Sequence, residues 1–132
     1  MKRSSAPESK DIGLALFTPK QYARLLSNGK RSAGRLTAGQ QKIDYHPVVK
    51  LIDPVTNAVW LVTEIDPTNP TIATGLIDLG DRNPSVGEID LRSLVRSGRV
   101  RDLGVRADNT FRSAGRLSSY VQTAKAIGRV IA

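Results

Sequence analysis

The chain has 132 residues, 39% hydrophobic and 24% charged, the size and composition of one folded domain. It has no Cys and one His, His46, which excludes disulfides, thiolate zinc sites, cysteine nucleophiles and histidine-rich metal clusters. A net charge of +8 makes it a strong cation, suited to anionic partners.

Residues 1–11 are polar, with Ser4, Ser5, Pro7 and Ser9, and read as a mobile tail ahead of a single domain over 12–132. Thr18-Pro19-Lys20-Gln21 then gives an N-cap, a proline at the first helical position and a Gln closing a capping box. Phe17 and Tyr22 stand at the positions of a hydrophobic staple, and Asn28-Gly29 has the chemistry of a helix stop. The pattern predicts a helix over 19–28, followed by a Gly-, Ser- and Arg-rich loop to residue 43.

Two β-branched runs, 48–52 and 58–65, enclose the turn Asp53-Pro54-Val55-Thr56-Asn57 and predict a hairpin. Asp66-Pro67-Thr68-Asn69-Pro70 turns into a third strand over 71–79, and Gly80 to Pro84 turns into a fourth over 86–91. Asp90 is placed to cap a short helix through Leu91, Leu94 and Val95, and 100–105 reads as an edge strand. Ser119-Tyr120-Val121-Gln122 is a second capping box, opening a helix over 119–130 with Tyr120, Val121, Ala124, Ile127 and Ile131 on one face. Gly128 weakens the end of that helix. The sum is an α+β fold: an antiparallel β-meander of three to five strands, with an N-terminal and a C-terminal helix packed on it.

Charge is segregated along the chain. Residues 1–47 carry nine Lys and Arg against three acids, 48–91 carry two against seven, and 92–132 carry nine against two. An acidic middle between basic ends implies two surfaces of opposite sign. Thirteen of the 20 cations are Arg, which favours bidentate phosphate or carboxylate recognition, although a GC-rich genome produces the same bias.

The nucleotide-binding glycine motifs and the nucleophile elbow are missing, and His46 stands before Pro47 at a strand entry, where a solvated or locally bonded imidazole is expected. No cofactor and no metal is expected. In a regular strand Trp60, Val62 and Glu64 share one face, while Glu64 and Asp78 fall at opposite ends of their strand pair. Asp66 reads as a turn opener. An enzyme built on these acids requires a deep pocket gathering Trp60, Glu64 and Asp78.

The hexapeptide Arg-Ser-Ala-Gly-Arg-Leu occurs twice, at 31–36 and 112–117. Two arginines on a Ser-Ala-Gly loop form an anion site if the copies meet, as they would with both terminal helices side by side on one sheet face. Coincidence in a chain rich in these residues is the competing reading. Aromatic residues are few and fall mostly on apolar faces, so any nucleic-acid contact is expected to be with phosphate rather than with bases.

Leu16-Phe17-Thr18-Pro19, Pro47-Val48-Val49-Lys50-Leu51, Trp60-Leu61-Val62-Thr63-Glu64-Ile65-Asp66-Pro67, Gly75-Leu76-Ile77-Asp78-Leu79-Gly80 and Gly87-Glu88-Ile89-Asp90-Leu91 form a recognisable series. So does the closing Leu117-Ser118-Ser119-Tyr120. Together they resemble the bacterial domain-of-unknown-function family numbered 2958, over about residues 14 to 124. The resemblance implies a small accessory protein of plasmids and integrative elements, with no catalytic residues to carry over. The polar start and the basic stretch Arg92 to Arg116 depart from that pattern.

The expectation is a non-enzymatic accessory protein that binds DNA or RNA phosphates through Arg31, Arg35, Arg112, Arg116 and Arg129. The alternative is a module docking a basic protein through Trp60, Glu64, Asp66 and Asp78. With no apolar run of about 20 residues, and none behind the charged start Met1-Lys2-Arg3, a cytoplasmic location without membrane contact is expected.

Overall fold

The computed structural model describes residues 5–97 and 104–132. Two helices come first, α1 (Ser5–Leu16) and α2 (Pro19–Thr37). Four strands follow, β1 (Val49–Ile52), β2 (Val59–Ile65), β3 (Ile72–Asp78) and β4 (Ser85–Asp90). A short α3 (Leu91–Ser97), the two-residue β5 (Arg106–Ala107) and α4 (Leu117–Ile127) complete the chain. The strands form one antiparallel sheet in the order β4-β3-β2-β1-β5. This is the α+β meander that the β-branched runs and Asp turns predict.

Turn chemistry accounts for the connections. Asp53 accepts from the Val55 and Thr56 amides, Asp66 from the amide and hydroxyl of Thr68, and Asp90 from the Arg92 and Ser93 amides at the start of α3. The capping box at Thr18 forms in both directions: Gln21 N–H donates to Thr18 Oγ1, and Thr18 N–H donates to Gln21 Oε1.

Three sequence expectations need correction, and a fourth is largely untested. Helix α1 starts at Ser5, inside the stretch read as a tail, and Ile12 and Leu16, with Phe17 just beyond its end, join the core. Helix α2 runs nine residues past the expected stop, because Asn28-Gly29 serves as a docking point and not as a terminator. Helix α4 begins at Leu117, ahead of the Ser119 box; Gly128 ends it in the left-handed conformation (φ 93°), so Ala124 and, beyond the end, Val130 are buried while Ile127 and Ile131 of the expected face are exposed. Most of the edge strand expected over 100–105 lies outside the described residues; the edge strand seen is β5.

The sheet separates two apolar layers. On one face Tyr22 and Leu25 of α2 pack with Ile12, Leu51, Trp60, Val62 and Ile65. On the other, Ala124 and Val130 pack with Leu61 and Leu76, flanked by Phe111 and Tyr120. Helices α2 and α4 therefore lie on opposite faces, not side by side.

Candidate functional site

The site is organised by a bulge in β2. Val62 pairs with Gly75, but Glu64 pairs with the adjacent Thr74, so Thr63 is the extra residue. Thr63 is pinned on both sides: its hydroxyl donates to Thr74 O (3.1 Å), and its carbonyl accepts from Asn28 Nδ2 (2.9 Å). Gly29, the next residue of α2, lies against the Ile65 carbonyl, where a Cβ would come within 1.8 Å of the oxygen.

The bulge reverses the alternation. Trp60 and Val62 face the α2 core, while Glu64 shares the opposite face with Thr74, so the expected Trp60–Val62–Glu64 line does not form. Glu64 and Asp78 stand at opposite ends of the β2–β3 pair, as the spacing predicts. Asp78 is only 5% exposed and accepts from the Gly80 and Val130 amides. Trp60 and Asp78 are thus buried, and the structure does not gather them with Glu64 in one pocket. Of the acids and indole expected at a partner surface, Glu64 and Asp66 remain accessible.

Two grooves meet at Tyr45. The first, of about 480 Å³, is open and lined by Arg24, Ser27 and Arg31 of α2 with His46, Val48 and Ser113. Exposed His46 places Nδ1 3.4 Å from Ser113 Oγ. The second, of about 360 Å³, lies on the α4 side of the sheet; Glu64, Thr74 and Glu88 line it, beneath Leu36, Ile43 and Leu117. Tyr45 lines both, and its hydroxyl donates to Asn28 O at 2.7 Å.

The hexapeptide copies adopt different conformations. The first is part of α2, whose face puts Arg31 in the first groove and Arg35 in the second. The second copy runs from a loop into the first residue of α4. There Arg112 donates to the Asn109 and Phe111 carbonyls and Arg116 to Asp44 O, while Asp44 accepts from the Ser118 amide and hydroxyl. The copies do approach one another, because Arg31 and Ser113 line the same groove. Arg129 follows α4 and lies in the layer across the sheet from α2.

Sequence reasoning missed Lys20, Arg24 and Ser27. With Arg31 and Arg35 they recur at helical spacing on the side of α2 opposite buried Tyr22, Leu25 and Gly29. That periodicity becomes readable once the helix is carried past Gly29.

Glu64 is half-buried, and Ser32 Oγ donates to its Oε2 at 2.8 Å, while Ser32 Oγ also lies 2.9 Å from Tyr45 Oη. Tyr45 gives its proton to Asn28 O and Ser32 gives its own to Glu64, so two hydroxyl protons serve three contacts. As a carboxylate Glu64 accepts from Ser32; on taking up a proton it can supply the third and complete a chain through Ser32 and Tyr45 to the Asn28 carbonyl. Desolvation raises the Glu64 pKa above the ordinary glutamate value; the Ser32 hydrogen bond and Lys42 pull it down, and Asp66 adds to the rise. The folded state therefore holds this proton more tightly than the unfolded chain. Its contribution is complete below the ordinary glutamate pKa and is lost as pH rises through the raised folded value. Glu64→Gln keeps a donor for Ser32 and removes the titration. Its melting temperature relative to wild type is expected to climb between pH 4 and pH 8. Thermal melts across that range check this; a constant difference would show that Glu64 titrates alike in both states.

Among the described residues no cluster of three or more metal-ligating side chains occurs, and no helix is long and apolar enough to cross a membrane. Fold and site together define a basic α+β domain with a grooved surface on either side of one buried tyrosine. Over residues 16–131 the chain matches the family model described as protein of unknown function (DUF2958), and it belongs to that family. No curated protein and no solved structure matches it.

Proposed function

We propose that this is a non-enzymatic accessory protein of a bacterial mobile element that binds nucleic acid through phosphates, with little base selectivity. The mobile-element setting rests on the family resemblance. The binding rests on one observation, the face of α2 turned away from the sheet. Lys20, Arg24, Arg31 and Arg35 fall on that face at helical spacing with Ser27 among them, and α2 contains no acidic residue. At 1.5 Å per residue the stripe is about 22 Å long, enough to follow several phosphates of a duplex. Ser113 and His46 flank it across the first groove, adding polar contacts beside Arg24 and Arg31. Arg112 and Arg116 brace the loop that brings Ser113 there, and both remain exposed to a phosphate. Arg129, across the sheet, makes at most a peripheral contribution.

Four neutralised phosphates give log affinity against log salt a slope of about −3.6. Arg24→Ala with Arg31→Ala is expected to flatten that slope by about 1.8 and to weaken all duplex sequences alike. Arg112→Ala with Arg116→Ala is expected to flatten it less, since each of these side chains also bonds main-chain carbonyls. Fluorescence-anisotropy salt titrations of labelled duplex DNA measure this. An unchanged slope in the Arg24/Arg31 variant, or no binding at low salt, removes the proposal.

A further inference from the structure

The second groove has a different character from the basic stripe. Its floor is a cross-strand row, Glu64 on β2, Thr74 on β3 and Glu88 on β4, held in register by both strand pairs. With strands about 4.8 Å apart, the two glutamates stand about 10 Å apart at their Cα atoms, within reach of one cation above Thr74. Asp44 and Asp66 also line the groove, bonded already to Ser118 and to Thr68, and Arg35 and Lys42 offset part of the negative charge. The chain as a whole is strongly cationic, which makes this a local reversal of sign.

The walls are apolar and uncovered. Leu36 on α2 is 78% exposed and Val86 on β4 is 49% exposed, and both line the groove. An occupant with an alkyl stem and a cationic head satisfies walls and floor at once: the stem lies along Leu36 and Val86, and the head meets the carboxylates. β4 is also an edge of the sheet, with Val86 and Glu88 in the groove lining. An extended segment paired to β4 would send alternate side chains to that same face.

We infer that this groove receives the Lys or Arg side chain of an extended segment of a partner protein, laid along β4 with the cation over Glu88 and Glu64. Arginine suits it best, because a planar guanidinium can bridge two carboxylates.

The test uses fluorescein-labelled acetyl-Thr-Val-Arg-Val-Thr-amide, with a second peptide carrying Gln in place of Arg, in anisotropy titrations against the full chain. The Arg peptide is expected to bind at least about tenfold more tightly than the Gln peptide, as a charge-assisted contact requires. Glu88→Gln and Glu64→Gln should each cost about three- to tenfold for the Arg peptide and leave the Gln peptide unchanged. Leu36→Ser, at a position too exposed to endanger folding, should weaken both peptides. Equal binding of the two peptides, no binding up to millimolar concentration, or indifference to both glutamate substitutions would overturn the inference. Competition by arginine amide as effective as that of the unlabelled Arg peptide would also overturn it, in favour of a pocket for small cations.

Discussion

Replacing Gly29 with alanine is expected to lower the melting temperature by about 10 °C or more, a loss of roughly 3 kcal/mol. By helix propensity alone the change should help, since Ala is favoured over Gly by about 1 kcal/mol in a helix interior. The new Cβ would meet the Ile65 carbonyl oxygen at 1.8 Å and its carbon at 2.9 Å. These are backbone atoms of a central strand next to the bulge, so relief requires α2 to lift away from β2 and to break the bond from Asn28 to Thr63. Gly34, five residues on in the same helix, provides the control: a Cβ there meets nothing within 4 Å. Gly34→Ala is expected to raise the melting temperature by about 3–5 °C through propensity alone. Opposite signs for one chemical change on one helix would establish the close approach. A neutral or stabilising Gly29→Ala would refute it.

The second large effect is expected at Asp78. Its carboxylate accepts from the Gly80 amide in the turn leaving β3 and from the Val130 amide beyond α4, both at 2.9 Å. Asp78→Ala removes both acceptors and leaves the buried Val130 amide without one, while the exposed Gly80 amide turns to water, at a cost of about 2–3 kcal/mol, or about 8–12 °C in melting temperature. Asp78→Asn retains one carbonyl acceptor and should fall between wild type and Ala. Urea denaturation of the three proteins measures the order. Equal stability of Ala and wild type would mean that the Val130 bond carries no weight, and the C-terminal segment would then need another anchor.

Much of the sheet is legible from local chemistry. β-branched runs separated by Asp-led turns identify β1 to β4 and their pairing, because each contact joins neighbours in sequence. The misreadings share one cause. Asn28-Gly29 has the composition of a helix stop, yet its partners, Thr63 and Ile65, are more than 30 residues away. Ser119-Gln122 has the form of a capping box, yet α4 starts earlier because Leu117 N–H finds the Tyr45 carbonyl and Ser118 N–H finds Asp44. The bulge at Thr63 is equally invisible to alternation, and it alone decides that Glu64 leaves the face of Trp60. Of the site, the sequence discloses the arginines and Glu64 as candidates but not their grouping. The α2 stripe depends on the unseen continuation of the helix, and the second groove on the unseen bulge.

The strand order has a consequence for how the molecule assembles. From β1 to β4 every pairing closes a short turn, so this part of the sheet can form by successive hairpins at small entropic cost. The remaining pieces arrive from far along the chain: β5 pairs Ala107 with Leu51, Ser118 binds Asp44, and Val130 binds Asp78. Closing such loops rewards the chain only after the meander offers a surface to close upon. Residues 104–132 are therefore expected to dock last, as a layer fastened to the meander by these and other long-range contacts. Ser113, which completes the first groove, and Leu117, which roofs the second, both belong to it. On that order both grooves are completed only by the final docking step, and a chain arrested before it is expected to have a formed meander and an incomplete binding surface.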